Sequence, residues 1–315
     1  MKQISFLPLV CALGIAAGAV AAQDCAPSKW GADDQIGSAN LVTPENTLKA
    51  AALIKQGKSL PLGITIGPDT PAFPPRSLSL QVVQPNQQGG QKLTGFGYEG
   101  NYNDDLLQTW IGIGSQLDGL GHLGEDGMYY NCLDEKEISA ITGLTKLGTH
   151  AVPPLVGRGV ILDMAAQAGK EMLEAGEYFG EAEIKAAAEA QGVTLGEGDI
   201  ILFHTGWTEG MLESEPMAWG SAEPGLSNEG AVYMASLNPM AVGADTWGLD
   251  AVPPAPGDKV FYGHVTLLKD NGIYILETMN TGPLLRDGVN EFMFVLGQPR
   301  IRGTVQAMIN PVALY

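Results

Sequence analysis

Short apolar runs separated by Gly, Pro and Asn set the rhythm of the chain. Leu62 to Ile66, Leu78 to Val83, Gly159 to Asp163, Ile200 to Phe203 and Ala241 to Asp245 have the length and side chains of strands. Ile200 to Phe203 is apolar throughout, the pattern of a strand buried on both faces. Lys259 to Val265 and Ile273 to Leu276 are further apolar segments, and Gly303 to Val312 reads as a last strand. Helical signals fall between these runs. Thr43-Pro44-Glu45 supplies an N-cap, a proline at the first helical position and an acid at the positive end of the dipole. Leu48, Ala51, Ala52 and Ile54 follow near helical spacing, up to a C-cap at Gly57. Glu181 to Ala190 reads as a helix closed by Gly192, and Ser227 caps another that runs to about Ser236. Pro68, Pro71, Pro74 and Pro75 stiffen one loop; Pro85 to Gly100 and Gly148 to Val156 are others. No repeat period or low-complexity linker divides the chain, so the pattern predicts one α/β domain rich in strands.

Composition adds a compartment and removes a class of partner. The chain has 315 residues, 45% of them hydrophobic, enough for a sizeable core. Its 17 Lys and Arg face 35 Asp and Glu, a formal net charge of −18. With no basic run anywhere, a nucleic-acid partner is not expected. Met1-Lys2, the apolar run Ile4 to Val20 and the small residues Ala19-Val20-Ala21 form the pattern of a secretory signal peptide. Residues 1–22 are therefore expected to be removed. Residues 23–315 remain as one exported domain, periplasmic or secreted, with no membrane attachment. Two cysteines survive cleavage, Cys25 and Cys132. An oxidising compartment permits a bridge between them, which would pin the mature N-terminus near His122.

The candidate chemistry concentrates in Gly112-Ile113-Gly114-Ser115-Gln116-Leu117-Asp118-Gly119-Leu120-Gly121-His122. Gln116 and Asp118 point to one face of an extended chain, and the glycines at 119 and 121 allow a bend that presents His122. The three side chains are metal ligands or proton carriers on this reading; a glycine-rich turn with a capping Asp is the plainer alternative. A second pair is His264 and Glu277, the latter closing an otherwise apolar strand, where a carboxylate needs a partner. Together these residues make a mixed N/O set suited to Zn²⁺ or Mn²⁺. His150 and His204 read as structural. The nucleophile elbow G-x-S-x-G, Walker A and H-E-x-x-H are missing from the sequence, and Gly112-x-Gly114 continues into Ser-Gln-Leu-Asp, which leaves a dinucleotide site unsupported. Trp110, Tyr129, Tyr130, Trp207 and Trp247 are aromatic candidates for a pocket wall, though core packing is the commoner role of each. Trp110, Tyr130, Trp207 and Asp245 form the expected substrate-contact set.

The 112–122 segment resembles the H-x-G-T-H-x-D-x-P-x-H signature of the bacterial cyclase family of metal-dependent hydrolases, which includes kynurenine formamidase and isatin hydrolase. Gly114, Ser115, Asp118 and His122 fall on its Gly, Thr, Asp and last His. Gly112 and Gln116 fall on its two earlier histidines and Leu120 on its Pro, as in a branch with Gln for the second histidine. Trp30-Gly31-x-x-Asp34, Leu144 to His150, Gly198-Asp199 with Thr205-Gly206-Trp207, Gly243 to Thr246, and His264 with Glu277 extend the resemblance over nearly the whole mature chain. It implies a swivelling β/β/α fold with a β-barrel-like core and flanking helices. It also implies a homo-oligomer, dimer or tetramer, acting on a small, often cyclic amide or ester. One divalent ion would be held by Gln116, Asp118, His264 and Glu277, with His122 moving the proton between water and leaving group. A small-molecule-binding protein without catalysis and a metal-dependent dehydratase or cyclase are the alternatives.

Overall fold

The computed structural model describes Cys25, residues 27–83, Gly97, Tyr98, Gly100 and residues 103–315. The expected signal peptide and most of the Pro85 to Gly100 loop lie outside the described residues.

One curled sheet organises the molecule. Its strands are β1 (Ser59–Pro61), β2 (Gln116–Asp118), β3 (Leu155–Asp163), β4 (Ile200–His204), β5 (Ala241–Ala244), β6 (Tyr274–Glu277), β7 (Glu291–Leu296), β8 (Gln306–Met308) and β9 (Val312–Leu314). Their spatial order is β1-β9-β7-β3-β4-β5-β6-β2-β8. The central strands β3 to β6 run parallel, and the pairings outside them are antiparallel. This is the α/β, half-barrel arrangement the resemblance implies. Ile200, Ile201, Leu202 and Phe203 are fully buried, as their uninterrupted apolar run requires. Each such side chain contributes roughly 1.5–3 kcal/mol. Helix α1 (Pro44–Ala51) packs on β3 with α2 (Glu181–Gln191), and α2 also packs on α3 (Asn228–Ser236).

The predicted caps are in place. Thr43 accepts from the amide of Asn46 at 3.1 Å, Ser227 accepts from that of Gly230 at 3.0 Å, and Gly192 closes α2. Several boundaries differ. Helix α1 stops at Ala51, not Gly57, because Leu48 on its surface is exposed and the next residues supply no buried face. Strand β3 begins at Leu155, inside the expected loop, because Leu155 to Gly157 pair with β7. The segment Leu62 to Ile66 gives way to a strand over Ser59–Pro61, followed by a bridge from Gly63 to Met279. The single last strand is two, β8 and β9, broken at Asn310-Pro311, and the two pair with different partners. Lys259 to Val265 is partly helical: Tyr262–His264 is one helical turn that widens into a π-helix over Val265–Asp270. Leu78–Val83 is a strand as expected, and it pairs with Asp104–Thr109 in a hairpin separate from the main sheet.

Cys25 and Cys132 are bridged, with Cα atoms 5.7 Å apart. The bridge ties the N-terminal segment to the turn after Tyr130. There the Asn131 amide donates to the carbonyls of Gly31, Ala32 and Asp34, at 3.0, 3.0 and 2.8 Å.

The topology sets where polar groups collect. Parallel strands β4, β5 and β6 end at one edge, with His204, Asp245 and Glu277 at or just past their tips. Strand β2 runs the other way, so its first residue, Gln116, sits directly opposite Glu277.

Candidate metal centre

Cross-strand pairing builds the site. Gln116 opposes Glu277 on one neighbour, and Asp118 opposes Gln306 on the other. Residues directly opposite share a face, so both carboxylates and both amides project together, while Leu117 and Leu276 fill the core behind. His264 enters from the helical turn after Phe261. Its Nε2 lies 3.1 Å from Glu277 Oε1 and 3.6 Å from Asp118 Oδ2. Two ligands at ordinary Zn–N and Zn–O distances in a tetrahedral site stand about 3.4 Å apart. One ligand atom from each of Asp118, His264 and Glu277 lies within 4.8 Å of the others, and all three residues are buried. Asp118 Oδ2 is buried without a hydrogen-bond partner among the described residues. The donor set and this open acceptor fit a divalent cation.

Supporting contacts fix each group. His264 Nδ1 donates to Asp250 Oδ2 at 2.6 Å, which aims Nε2 at the two acids. Asp250 Oδ1 accepts from the Gly263 amide at 2.8 Å. Gln306 Nε2 donates to Asp118 Oδ1 at 2.7 Å. Gln116, expected as an oxygen ligand, is turned the other way. Its Nε2 donates to Asp118 Oδ1 at 3.3 Å and closely to Glu277 Oε2, because two facing carboxylates need a donor between them. Beneath lies Glu223, whose Oε2 accepts from the Trp247 amide at 2.6 Å. Phe261, which lines the cavity, Leu249, which precedes Asp250, and Thr278, which follows Glu277, hold positive φ of 54°, 59° and 53°. Each such residue stores about 1–3 kcal/mol of strain, a feature that gathers at functional sites.

The charges oppose one another. Burial and the Asp118 charge push the Glu277 carboxyl up to about 7, against the pull of His264 and Arg76. Burial would raise Asp118 too, but His122 and His264 outweigh it and hold the group at about 2. Burial disfavours the His264 imidazolium, yet Asp118, Asp250 and Glu277 carry it well above its usual range. Burial, with Glu277 and Asp250 nearby, drives Glu223 well above the carboxylate range. His122 Nε2 lies 3.7 Å from Asp118 Oδ2, with 21% of its side chain exposed. Burial, then His264 and Arg76, hold it below the ordinary histidine value despite Asp118.

A cavity of about 160 Å³ opens onto this cluster, lined by His122, Gln116, His264, Glu277, Arg76 and, among its apolar walls, Trp247. A larger groove, of about 580 Å³, lies elsewhere, past Trp110 and the end of the hairpin, and holds none of the acids. The volume of that groove reflects an open surface, and the chemistry is in the smaller cavity.

The structure brings His122, Gln116, Asp118, His264 and Glu277 together and leaves the expected substrate-contact set outside. Trp110 is 52% exposed at the hairpin end. Tyr130 is buried, its hydroxyl donating to Asp34 Oδ2 at 2.6 Å, because it anchors the N-terminal segment. Trp207 is buried with its indole donating to the Trp219 carbonyl at 3.3 Å. Asp245 accepts from the amide and hydroxyl of Thr205 at 2.8 and 2.6 Å, bracing the turn after β4. Asp250, Gln306, Glu223 and Arg76 escaped the sequence reading. For Arg76 a signal existed: a cation in a rigid proline loop of a chain poor in basic residues.

Residues 60–251 match the family described as putative cyclase. No curated protein matches the chain. A crystal structure of a novel cyclase is similar over 91% of this chain and 98% of that one, at 29% identity and a TM-score of 0.81. Isatin hydrolase A from Ralstonia solanacearum shares the fold over 86% of this chain and 98% of its own, at 16% identity and a TM-score of 0.61. So does a predicted metal-dependent hydrolase from Bacillus stearothermophilus, over 81% and 97%, at 16% identity and a TM-score of 0.54. Match and architecture agree: the chain belongs to the cyclase family.

Proposed function

We propose that the protein is a metal-dependent hydrolase that opens an amide or ester bond in a small substrate, a lactone, lactam or formamide. The observation that carries this reading is the buried Asp118–His264–Glu277 cluster facing a cavity, with Asp118 Oδ2 unpartnered. The names of relatives sharing the fold, metal-dependent hydrolase and isatin hydrolase, point the same way. The three residues would hold one Mn²⁺ or Zn²⁺. The chemistry such an ion supplies is Lewis acidity toward water and a carbonyl oxygen.

The chain's own groups do the rest. His122, neutral at neutral pH, accepts a proton at Nε2 and returns it to the departing nitrogen or oxygen. Asp250 and Gln306 orient His264 and Asp118. We read Gln116 as a tie between the two carboxylates, and place the chain in the branch with Gln at this position. Trp247 and Phe261 shield the cluster from bulk water. Export is our reading of the N-terminal pattern, and the Cys25–Cys132 bridge supports it, because such bridges persist in oxidising compartments. A homo-oligomer is supported by the hairpin, which leaves Leu80, Val82, Leu106 and Leu107 exposed.

Metal analysis of the purified protein tests the reading. About one equivalent of a divalent ion per chain is expected after loading and dialysis. Less than about a tenth of an equivalent, with no stabilisation by added ions, would leave a binding protein without catalysis.

A further inference from the structure

We propose that Arg76 is the specificity residue of the cavity, and that the substrate is a small aromatic acid whose carboxylate pairs with its guanidinium. The inference rests on the hydrolase reading for the reaction, and it names the substrate class. Arg76 lines the cavity beside Gln116, His122 and Glu277. Its Nη1 donates to the Gly112 carbonyl at 2.7 Å. A Cβ at residue 112 would stand 2.6 Å from Nη1, so glycine there is what lets the guanidinium settle against the backbone. Among the described residues no carboxylate lies within ion-pair distance of Arg76. One hydrogen bond among the described residues leaves four of its five N–H groups for a planar, bidentate acceptor, which a carboxylate is.

The remaining wall sets the body of the ligand. Phe73 and Trp247 stand 5.8 Å apart, Trp247 and Phe261 6.1 Å, and Phe261 and His264 5.6 Å, ring centre to ring centre. This aromatic row runs from the mouth, where Phe73 is 49% exposed, down to the metal-site histidine. The cavity holds about 160 Å³. An apolar cavity of about 150 Å³ takes one benzene ring. A second void of about 20 Å³ adjoins it and shares Phe73, Arg76, Gln116 and Trp247, so the guanidinium borders both spaces. One ring between the aromatics, with an anionic group at Arg76, fills the space and answers the guanidinium. A competing account has Arg76 only offset the charge of the acids behind it.

Calorimetric titration of the protein, as purified and after Mn²⁺ loading, with benzoate and with benzamide separates the two accounts. Benzoate is expected to bind at least about tenfold more tightly. Arg76→Gln should remove that preference and Arg76→Lys should retain part of it, with melting temperature and metal content measured on each variant. Equal binding of the two probes by the wild-type protein would overturn the proposal. So would a benzoate preference that survives in folded Arg76→Gln, since the anion would then sit on the metal. An Arg76-dependent preference in protein that binds no metal would uphold this inference and sink the hydrolase reading alone.

Discussion

Two histidine–carboxylate clusters sit at strand ends of the same sheet, and only one reads as a reaction centre. At the tips of β4 and β5, His204 Nδ1 lies 2.7 Å from Thr281 Oγ1 and 3.6 Å from Asp245 Oδ2. Asp245 Oδ1 accepts from Thr205, while its Oδ2, like Asp118 Oδ2, has no hydrogen-bond partner among the described residues. At β2 and β6, His264 faces two carboxylates and is backed by a third. The first cluster is one acid beside one imidazole, used to brace a turn. The second gathers an excess of acid around one imidazole and opens to a cavity. A buried His–Asp contact is therefore a weak sign of function. Acids in excess, facing one another across an accessible space, are the stronger sign, because only a cation or bound protons make that arrangement tolerable.

Substitutions at matched positions should break the comparison cleanly. Asp118→Ala is expected to abolish turnover and to lower metal affinity by more than about 100-fold. Asp245→Ala should cost about 3 kcal/mol of stability while metal still binds. Metal content and urea melts of the two variants check this, and metal loss in Asp245→Ala would erase the distinction. His122→Ala comes next: a fall in kcat of about 10²–10⁴-fold with the ion retained, read by turnover and metal analysis on one sample. Loss of the ion there would make His122 a ligand. Asp250→Asn keeps the hydrogen bond but removes the charge behind His264, and should cost about tenfold to 100-fold in metal affinity.

Much of this architecture was legible beforehand. The uninterrupted run Ile200 to Phe203 marks a strand covered on both faces, and the two-residue step from Gln116 to Asp118 puts both on one face of β2. The partners of those residues were not legible. Gln306 reaches Asp118 through pairing across 188 residues, and Asp250 reaches His264 from a loop of irregular backbone. No local pattern encodes either contact. Aromatic residues were misplaced for a different reason. Tyr130, Trp207 and Trp247 carry the same kind of side chain, and only the tertiary fold decides that Trp247 walls the cavity while the other two are buried as anchors. The turn of the Gln116 amide depends on the charge across from it, which residue identity at 116 does not reveal.

In the proposed metal-dependent enzyme a divalent ion replaces protons held by Glu277 and His264. In the metal-free protein both groups bind protons more tightly than in the unfolded chain, Glu277 with its value pushed up to about 7. The native state therefore carries the extra protons, and stability falls as pH rises, from about 4.5 through about 7 for Glu277 and from about 6.5 upward for His264. The Glu277 share is about 3 kcal/mol. Asp118, held low, acts only at the acid end, where its contribution is lost as pH falls from about 3.8 through about 2. The most direct measurement is the melting temperature of metal-free protein with and without Mn²⁺ or Zn²⁺, from about pH 5.5 to about pH 8. The expected result is a gain on adding the ion that grows with pH and vanishes in Asp118→Ala. A gain that shrinks with pH, or one that survives in Asp118→Ala, would contradict it.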